Sequence, residues 1–289
     1  MQRKPDWLKV KLPGSGEFPE VKSILRHYRL HTVCEEARCP NLGECWGSGT
    51  ATIMILGDLC TRSCRFCATK TGNPHGFIEE DEPLRTALAV KEMELDYVVL
   101  TSVNRDDLPD GGSEHFAKTI KTIKEHAPSA LIEVLIPDYL DENLKKVVDA
   151  KPDVLGHNVE TVRRLTPLVR DKRFSYERSL NVLLQAKEID PNIYTKSSIM
   201  LGLGETREEI VETMEDLRSV RVDFLTLGQY LRPTPRHYPV ARFVPPEEFK
   251  EYESLGLKMG FKYVASGPLV RSSYRAAEFF ISSIVRKNV

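Results

Sequence analysis

The sequence predicts an α/β protein: a partial parallel (β/α)6 TIM-like barrel with N-terminal and C-terminal extensions covering the barrel mouth. Three observations lead there. From residue 51 onward, apolar runs of strand length alternate with longer segments of helical period. Several runs are almost continuously apolar, as strands covered on both faces require. At roughly 35 to 40 residues per β–α unit, six units fill the chain beyond its first fifty residues. A closed eight-unit barrel would need more length.

The elements follow in order. Residues 1–50 read as irregular, punctuated by Pro5, Pro13, Pro19 and Pro40 and by Gly14, Gly16, Gly43, Gly47 and Gly49, with a short helix over 21–28. Strands are expected over 52–56, 97–101, 131–136, 154–157, 194–201 and 224–228. Helices are expected between and after them, over 84–95, 114–126, 142–150, 176–189, 207–220 and 246–256. Asp141 and Thr206 can accept backbone N–H bonds as helix caps, with acidic residues in the turns that follow. Pro246 suits a first helical position. Consecutive β–α units favour a right-handed parallel array. A doubly wound open sheet is the alternative, weakened by the lack of a G-x-G-x-x-G after the first strand. The organisation read from this is an N-terminal extension over 1–50, a barrel over 51–260 and a C-terminal extension over 261–289. No internal repeat or low-complexity tract interrupts it.

Composition narrows the function. With 41% hydrophobic and 29% charged residues and a net charge of −1, the 289-residue chain reads as an ordinary globular protein. It has no overall positive field to gather nucleic acid, and Arg163-Arg164 reads as solvated surface charge. No apolar run reaches the ~20 residues of a membrane span. The N-terminal residues lack the apolar core of a secretory signal, so a cytoplasmic protein is expected. Trp7 and Trp46 read as packing anchors.

The cysteines carry the chemistry. All six lie between Cys34 and Cys67, a clustering that suits metal binding better than disulfides. Cys60, Cys64 and Cys67 form a C-x3-C-x2-C triplet just after the first strand, at the end where parallel barrels place active sites. Three thiolates on a cubane leave one iron free to chelate a small molecule. Structural zinc wants four ligands; His75 could complete such a set, and zinc stays open as an alternative. Cys34, Cys39 and Cys45 form a second incomplete set, C-x4-C-x5-C, ahead of the barrel. Arg271-Ser272-Ser273-Tyr274, taken alone, reads as a turn or a helix cap.

Cys60, Cys64 and Cys67, with Phe66 before the last cysteine, match the signature of the radical S-adenosylmethionine superfamily. Beyond that signature, TVCEEARCPNLGECW (32–46), TSVNRDDLPDGG (101–112), GHNVETVRRLTP (156–167), KSSIMLGLGET (196–206), GQYLRPTPRHYPV (228–240) and VRSSYRA (270–276) resemble the lipoyl synthase family. The resemblance covers nearly the whole chain. It implies a [4Fe–4S] cluster on Cys60, Cys64 and Cys67 that binds S-adenosylmethionine through the open iron. One electron then breaks the C–S bond to give methionine and a 5′-deoxyadenosyl radical. It further implies an auxiliary [4Fe–4S] cluster on Cys34, Cys39 and Cys45, with Ser273 on the fourth iron. That cluster would donate the sulfur atoms inserted at C6 and C8 of an octanoyl-lysyl group. A hard serine oxygen is easier to displace than a thiolate, which suits a cluster dismantled in use. The implied partners are an octanoylated lipoyl carrier domain, of a 2-oxoacid dehydrogenase E2 subunit or the glycine cleavage H protein, and a reducing electron donor. A monomer that binds neither nucleic acid nor membrane is expected. Residues 1–50 and the C-terminal segment should pack together, since Ser273 must reach the N-terminal thiols.

Candidate contacts to S-adenosylmethionine are Phe66 and the polar groups Asn104, Asn158, Glu160 and Lys196 at or near strand ends. Their plainer readings are a turn for Asn104, a helix start for Glu160 and a solvated ammonium for Lys196. Gly202-Leu203-Gly204-Glu205 reads as a tight β–α turn or an adenine contact rather than a phosphate loop. The seven histidines show no ligand spacing, and His157 stands out only by its place at a strand end. Tyr230 and Arg232 either line a substrate channel or belong to a loop stiffened by Pro233 and Pro235. Two other functions compete. A methylthiotransferase would need an added domain for which no length remains. A zinc-stapled binding module would not need six β–α units. Iron and sulfide content separates the last from the rest.

Overall fold

Residues 3–9, 17–47, 51–273, 281 and 283–286 are described by the computed structural model. The N-terminal region holds a 3-10 turn at Asp6–Leu8, then α1 (Phe18–His27), β1 (His31–Thr32), α2 (Val33–Glu36) and α3 (Leu42–Trp46). The chain then enters β2 (Thr52–Ile55), followed by the short strands β3 (Leu59–Cys60) and β4 (Lys70–Thr71). Four β–α steps come next: α4 (Glu82–Glu92) and β5 (Tyr97–Ser102), α5 (Ser113–His126) and β6 (Leu131–Leu135), α6 (Asp141–Asp149) and β7 (Val154–Gly156), then α7 (Thr166–Val169), α8 (Tyr176–Ile189) and β8 (Tyr194–Leu201). The last elements are α9 (Arg207–Ser219), β9 (Phe224–Gln229), α10 (Pro246–Lys258) and β10 (Tyr263–Gly267).

The main sheet runs β1-β2-β5-β6-β7-β8-β9-β10. Every neighbouring pair from β2 to β10 is parallel, and β1 adds an antiparallel edge. The parallel α/β fold is therefore as expected, with a seventh parallel strand inside the segment read as C-terminal extension. That strand gave a weak signal because only Val264 and Ala265 of its five residues are buried. Strand side chains supply two faces. Ile53, Ile55, Leu100, Ile132 and Val134 pack against the first helices, and Ile199, Leu201, Leu225 and Leu227 against the later ones. A third group, Tyr97, Val99, Val154, Phe224 and Ala265, meets Ile281 and Val285 near the end of the chain. Each such valine, leucine, isoleucine or phenylalanine side chain contributes on the order of 1.5–3 kcal/mol by burial.

Thr206 caps α9 in a reciprocal capping box with Glu209, and Pro246 opens α10. Asp141 is not a cap. It sits inside α6 with a left-handed φ of 52°, and Leu140 takes the cap position without a side-chain bond. Its N–H donates to Gln185 instead. The first helix begins at Phe18, earlier than expected, with Pro19 in its first turn. Trp46 is buried against Phe18, whereas Trp7 is 44% exposed and anchors nothing in the core. Arg163 and Arg164 are half-exposed yet paired, Arg163 with Glu177 and Asp216 and Arg164 with Glu209. Among the described residues, no helix is long and apolar enough to cross a membrane.

Candidate active site at the barrel mouth

A cavity of about 490 Å³ opens at the C-terminal ends of the strands. All six cysteines line it, and so does Ser273. Tyr274, the last residue of that motif, lies outside the described residues.

The loop bearing Cys60, Cys64 and Cys67 is built on a turn just past β2. Leu56 and Gly57 take left-handed φ values of 67° and 83°. Two buried side chains hold this turn. Glu82 accepts the Leu56 N–H at 2.8 Å, and Arg105 donates to the Leu56 carbonyl at 3.1 Å. Arg105 is itself paired with Asp107, whose carboxyl it pulls down to about 2. The pairing of β3 with β4 closes the base of the loop. On its far side, His237 donates a ring N–H to the Cys67 carbonyl at 2.9 Å, and the Tyr238 N–H donates to Arg65 O at 2.7 Å.

The other triplet is set by two short helices. Thr32 caps α2, which carries Cys34. Arg38 then turns the chain with a φ of 51°, and the Cys39 N–H closes back on Cys34 O at 2.9 Å. Cys45 lies in α3. The C-terminal segment lies against this region. Asn41 Nδ2 donates to Leu269 O at 2.6 Å, and Thr52 Oγ1 donates to Ser273 Oγ at 2.9 Å. Gly228 leaves room for that segment, since a Cβ there would stand 2.1 Å from Val270 O.

Burial pushes the Cys34 thiol up to about 11 and the Cys64 thiol up to about 12, and raises Cys39 and Cys67 as well. These groups are protonated at neutral pH until a metal displaces the proton. The donor geometry does not suit a single shared ion. Sulfurs sharing one zinc would stand about 3.8 Å apart. Neither cysteine triplet brings all its sulfurs within 4.8 Å, and among the described residues only His31, Glu36 and Asp58 bring three such donors that close. One carboxylate of that last group, Asp58, is already paired with Lys70 at 2.5 Å. His75 is exposed and away from the cavity, so it does not complete a zinc set.

Phe66, Asn104, Asn158 and Glu160 line the same cavity. Asn158 Nδ2 donates to Glu160 Oε1 at 3.1 Å. Glu160 does not start a helix. Its main chain bridges to β8 with a φ of 68°, a conformation costly for a residue with a Cβ. Burial raises its carboxyl above the usual range, opposed by Arg170. Lys196 is not brought to the cavity: it is 2% exposed on β8, with its ammonium 2.7 Å from Glu133, which also accepts the Tyr97 hydroxyl at 2.6 Å. It is neither a cavity contact nor solvated, because a buried ammonium needs its carboxylate.

His157 lines the cavity from β7's end, with one ring nitrogen donating to Ile136 O at 3.0 Å and the other 3.1 Å from Ser179 Oγ. Burial, assisted by Arg170, lowers its pKa to about 4, so the ring is neutral. Tyr230 and Arg232 also line the cavity, yet both bond to carbonyls of their own loop, at Tyr238 and His237 respectively. The Gly202 and Leu203 N–H groups are taken by Glu205 at 2.6 and 2.9 Å, so that turn holds no phosphate. Sequence reasoning missed Arg105, Asp106, Asp138, Asp171 and His237. Arg105, Asp106 and His237 lie in segments that carry the family resemblance, though no role was read for them, and Asp138 and Asp171 stood only among neighbouring charges, which read as surface.

The family described as "Radical SAM superfamily" matches residues 54–217, and "N-terminal domain of lipoyl synthase of Radical_SAM family" matches residues 1–39. A lipoyl synthase of Thermus thermophilus is 58% identical over 287 residues, covering 99% of this chain and 89% of that protein. One of Myxococcus xanthus is 55% identical over 287 residues, covering 99% and 96%. Among solved structures, the [FeFe]-hydrogenase maturase HydG superposes with a TM-score of 0.57 at 15% identity over 86% of this chain and 66% of that one. Methylornithine synthase superposes with a TM-score of 0.52 at 15% identity, over 94% and 73%. The two structures attest the fold, and the near-full-length identity goes further: this chain belongs to the lipoyl synthase family of radical S-adenosylmethionine enzymes.

Proposed function

We propose that this chain is a sulfurtransferase that inserts two sulfur atoms, at C6 and C8, into an octanoyl group amide-linked to a lysine of a lipoyl carrier domain. The observation that carries the reading is the single cavity onto which both cysteine triplets and Ser273 open. A [4Fe–4S] cluster on Cys60, Cys64 and Cys67, with S-adenosylmethionine bound, supplies the one-electron bond cleavage and hydrogen abstraction. Cys34, Cys39, Cys45 and Ser273 hold the auxiliary [4Fe–4S] cluster, the source of sulfur. The chain's own contribution is placement: a shared cavity keeps the acyl carbons within reach of both sites and away from water. Asn104, Asn158 and Glu160 offer polar groups to S-adenosylmethionine, and Phe66 offers its ring.

The division of labour follows the chain. Residues 1–50 carry the sulfur-donor site, 51–260 the radical barrel and 261–289 the serine ligand. The carrier is an E2 subunit or an H protein, and a reducing protein provides the electron. The chain works as a monomer in the cytoplasm, where its cysteine thiols stay reduced. The test is an anaerobic single turnover with dithionite, S-adenosylmethionine and an octanoyl-lysyl peptide, followed by mass spectrometry. Lipoyl peptide with two deoxyadenosines per product supports the reading. Deoxyadenosine without sulfur insertion keeps the radical chemistry and rejects the substrate.

A further inference from the structure

The residues between Cys60 and Cys64 are each gripped by a carboxylate from elsewhere in the barrel. Thr61 Oγ1 donates to Asp106 at 2.5 Å. Arg62 donates to Asp106 at 2.8 Å and pairs with Asp138 at 2.8 Å. The Ser63 N–H and hydroxyl both donate to Asp171 Oδ2, at 2.9 and 3.3 Å. Arg173 braces the arrangement. It pairs with Asp171 at 2.8 Å and with Asp106 at 3.1 Å, and donates to Thr61 O at 2.6 Å.

Asp171 does one thing more than the other two. Its own N–H donates to Cys64 Sγ at 3.3 Å. One residue thus holds the cluster loop at two successive positions, by its carboxylate at Ser63 and by its amide at Cys64. A third rung follows where the Arg65 N–H donates to Val169 O at 2.8 Å. Asp171 is 8% exposed, so solvent does not readily replace these contacts. A hydrogen bond to a ligating sulfur stabilises the more negative, reduced form of an iron–sulfur cluster and raises its reduction potential.

We propose that Asp171 is a positioning residue for the S-adenosylmethionine cluster: it fixes the Cys64 sulfur and, through the hydrogen bond it lends that sulfur, sets the potential at which the cluster accepts its electron. The proposal rests on the reading that Cys60, Cys64 and Cys67 hold that cluster. The experiment compares wild type, Asp171→Ala, Asp171→Asn and Arg173→Met as full-length, anaerobically reconstituted protein. The readouts are the midpoint potential by EPR-monitored titration and the abortive cleavage of S-adenosylmethionine without carrier. In Asp171→Ala, which keeps the residue-171 N–H but removes the carboxylate that anchors it, the midpoint of that cluster falls below that of the equally uncharged Asp171→Asn, its reduced signal changes shape, and abortive cleavage drops by about 10-fold at a fixed reductant potential. The auxiliary cluster's iron and spectrum stay as in wild type. Asp171→Asn keeps an acceptor for the Ser63 N–H and recovers most of the wild-type midpoint. Arg173→Met, which loosens the brace without touching residue 171, gives a smaller shift in the same direction and serves if Asp171→Ala does not fold. A wild-type midpoint and signal in both Asp171→Ala and Arg173→Met, or an equal disturbance of both clusters, overturns the proposal. Abortive cleavage needs no carrier, so a failure of sulfur insertion leaves this test readable. No cleavage by wild type would overturn the underlying cluster assignment and the proposal together.

Discussion

Cys39 and Asp107 show how differently single residues can matter here. Cys39 lines the cavity from the N-terminal region. Cys39→Ala should leave cleavage of S-adenosylmethionine within about 3-fold of wild type, below 1 kcal/mol in barrier. Lipoyl product should disappear and bound iron should fall by about half, as mass spectrometry and iron analysis would show. Asp107 supports the turn under the cluster loop through its ion pair with Arg105. Its carboxyl is depressed to about 2. The pair's stabilisation is therefore present above the unfolded value near 4 and is lost as pH falls through the folded value, about 2 kcal/mol in all. Urea unfolding of iron-free protein from pH 5 to 2 should show Asp107→Asn losing that much less stability than wild type. At this scale the cysteines were legible because their spacing is local. The residues that grip them were not: Ser63 and Asp171 are 108 positions apart, and an acidic residue so far from its partner looks like surface until the chain folds. Lys196 was misread for the same reason, its partner Glu133 lying 63 positions earlier.

Elements were legible in proportion to how much of their length is buried. β2 and β9 are buried along their whole length, and both stood out as apolar runs. β10 exposes part of three of its five residues and did not. The cap of α9 was readable from Thr206 and the acidic turn after it. Thr206→Ala should cost about 1 kcal/mol, roughly 2 °C in the melting temperature of a chain this long. The stake at Gly228 was invisible, because it depends on a segment about forty residues downstream. Gly228→Ala would drive a methyl into Val270 O and displace the strip that carries Ser273. Sulfur insertion should fall at least 10-fold, an extra barrier of about 1.4 kcal/mol, while deoxyadenosine formation persists. Product analysis under single-turnover conditions would distinguish the two effects.

At the scale of the whole molecule, two residues far along the chain, Ile281 and Val285, belong to the core. Ile281 and Val285 are almost wholly buried among strand side chains from β5, β7, β9 and β10. A chain ending at residue 280 should lose about 3 kcal/mol or more, and thermal melting would register it as a fall of several degrees with increased aggregation. The single cavity has a consequence of another kind. A donor that gives up its sulfur must be restocked from outside, and both cysteine triplets line one cavity. On the proposed reading, the acyl arm of the carrier and whatever delivers new iron and sulfide compete for that cavity. Restocking must wait until the finished carrier departs. A large excess of octanoylated carrier should then slow every round after the first, so the enzyme's pace is governed by traffic through its doorway as much as by chemistry within.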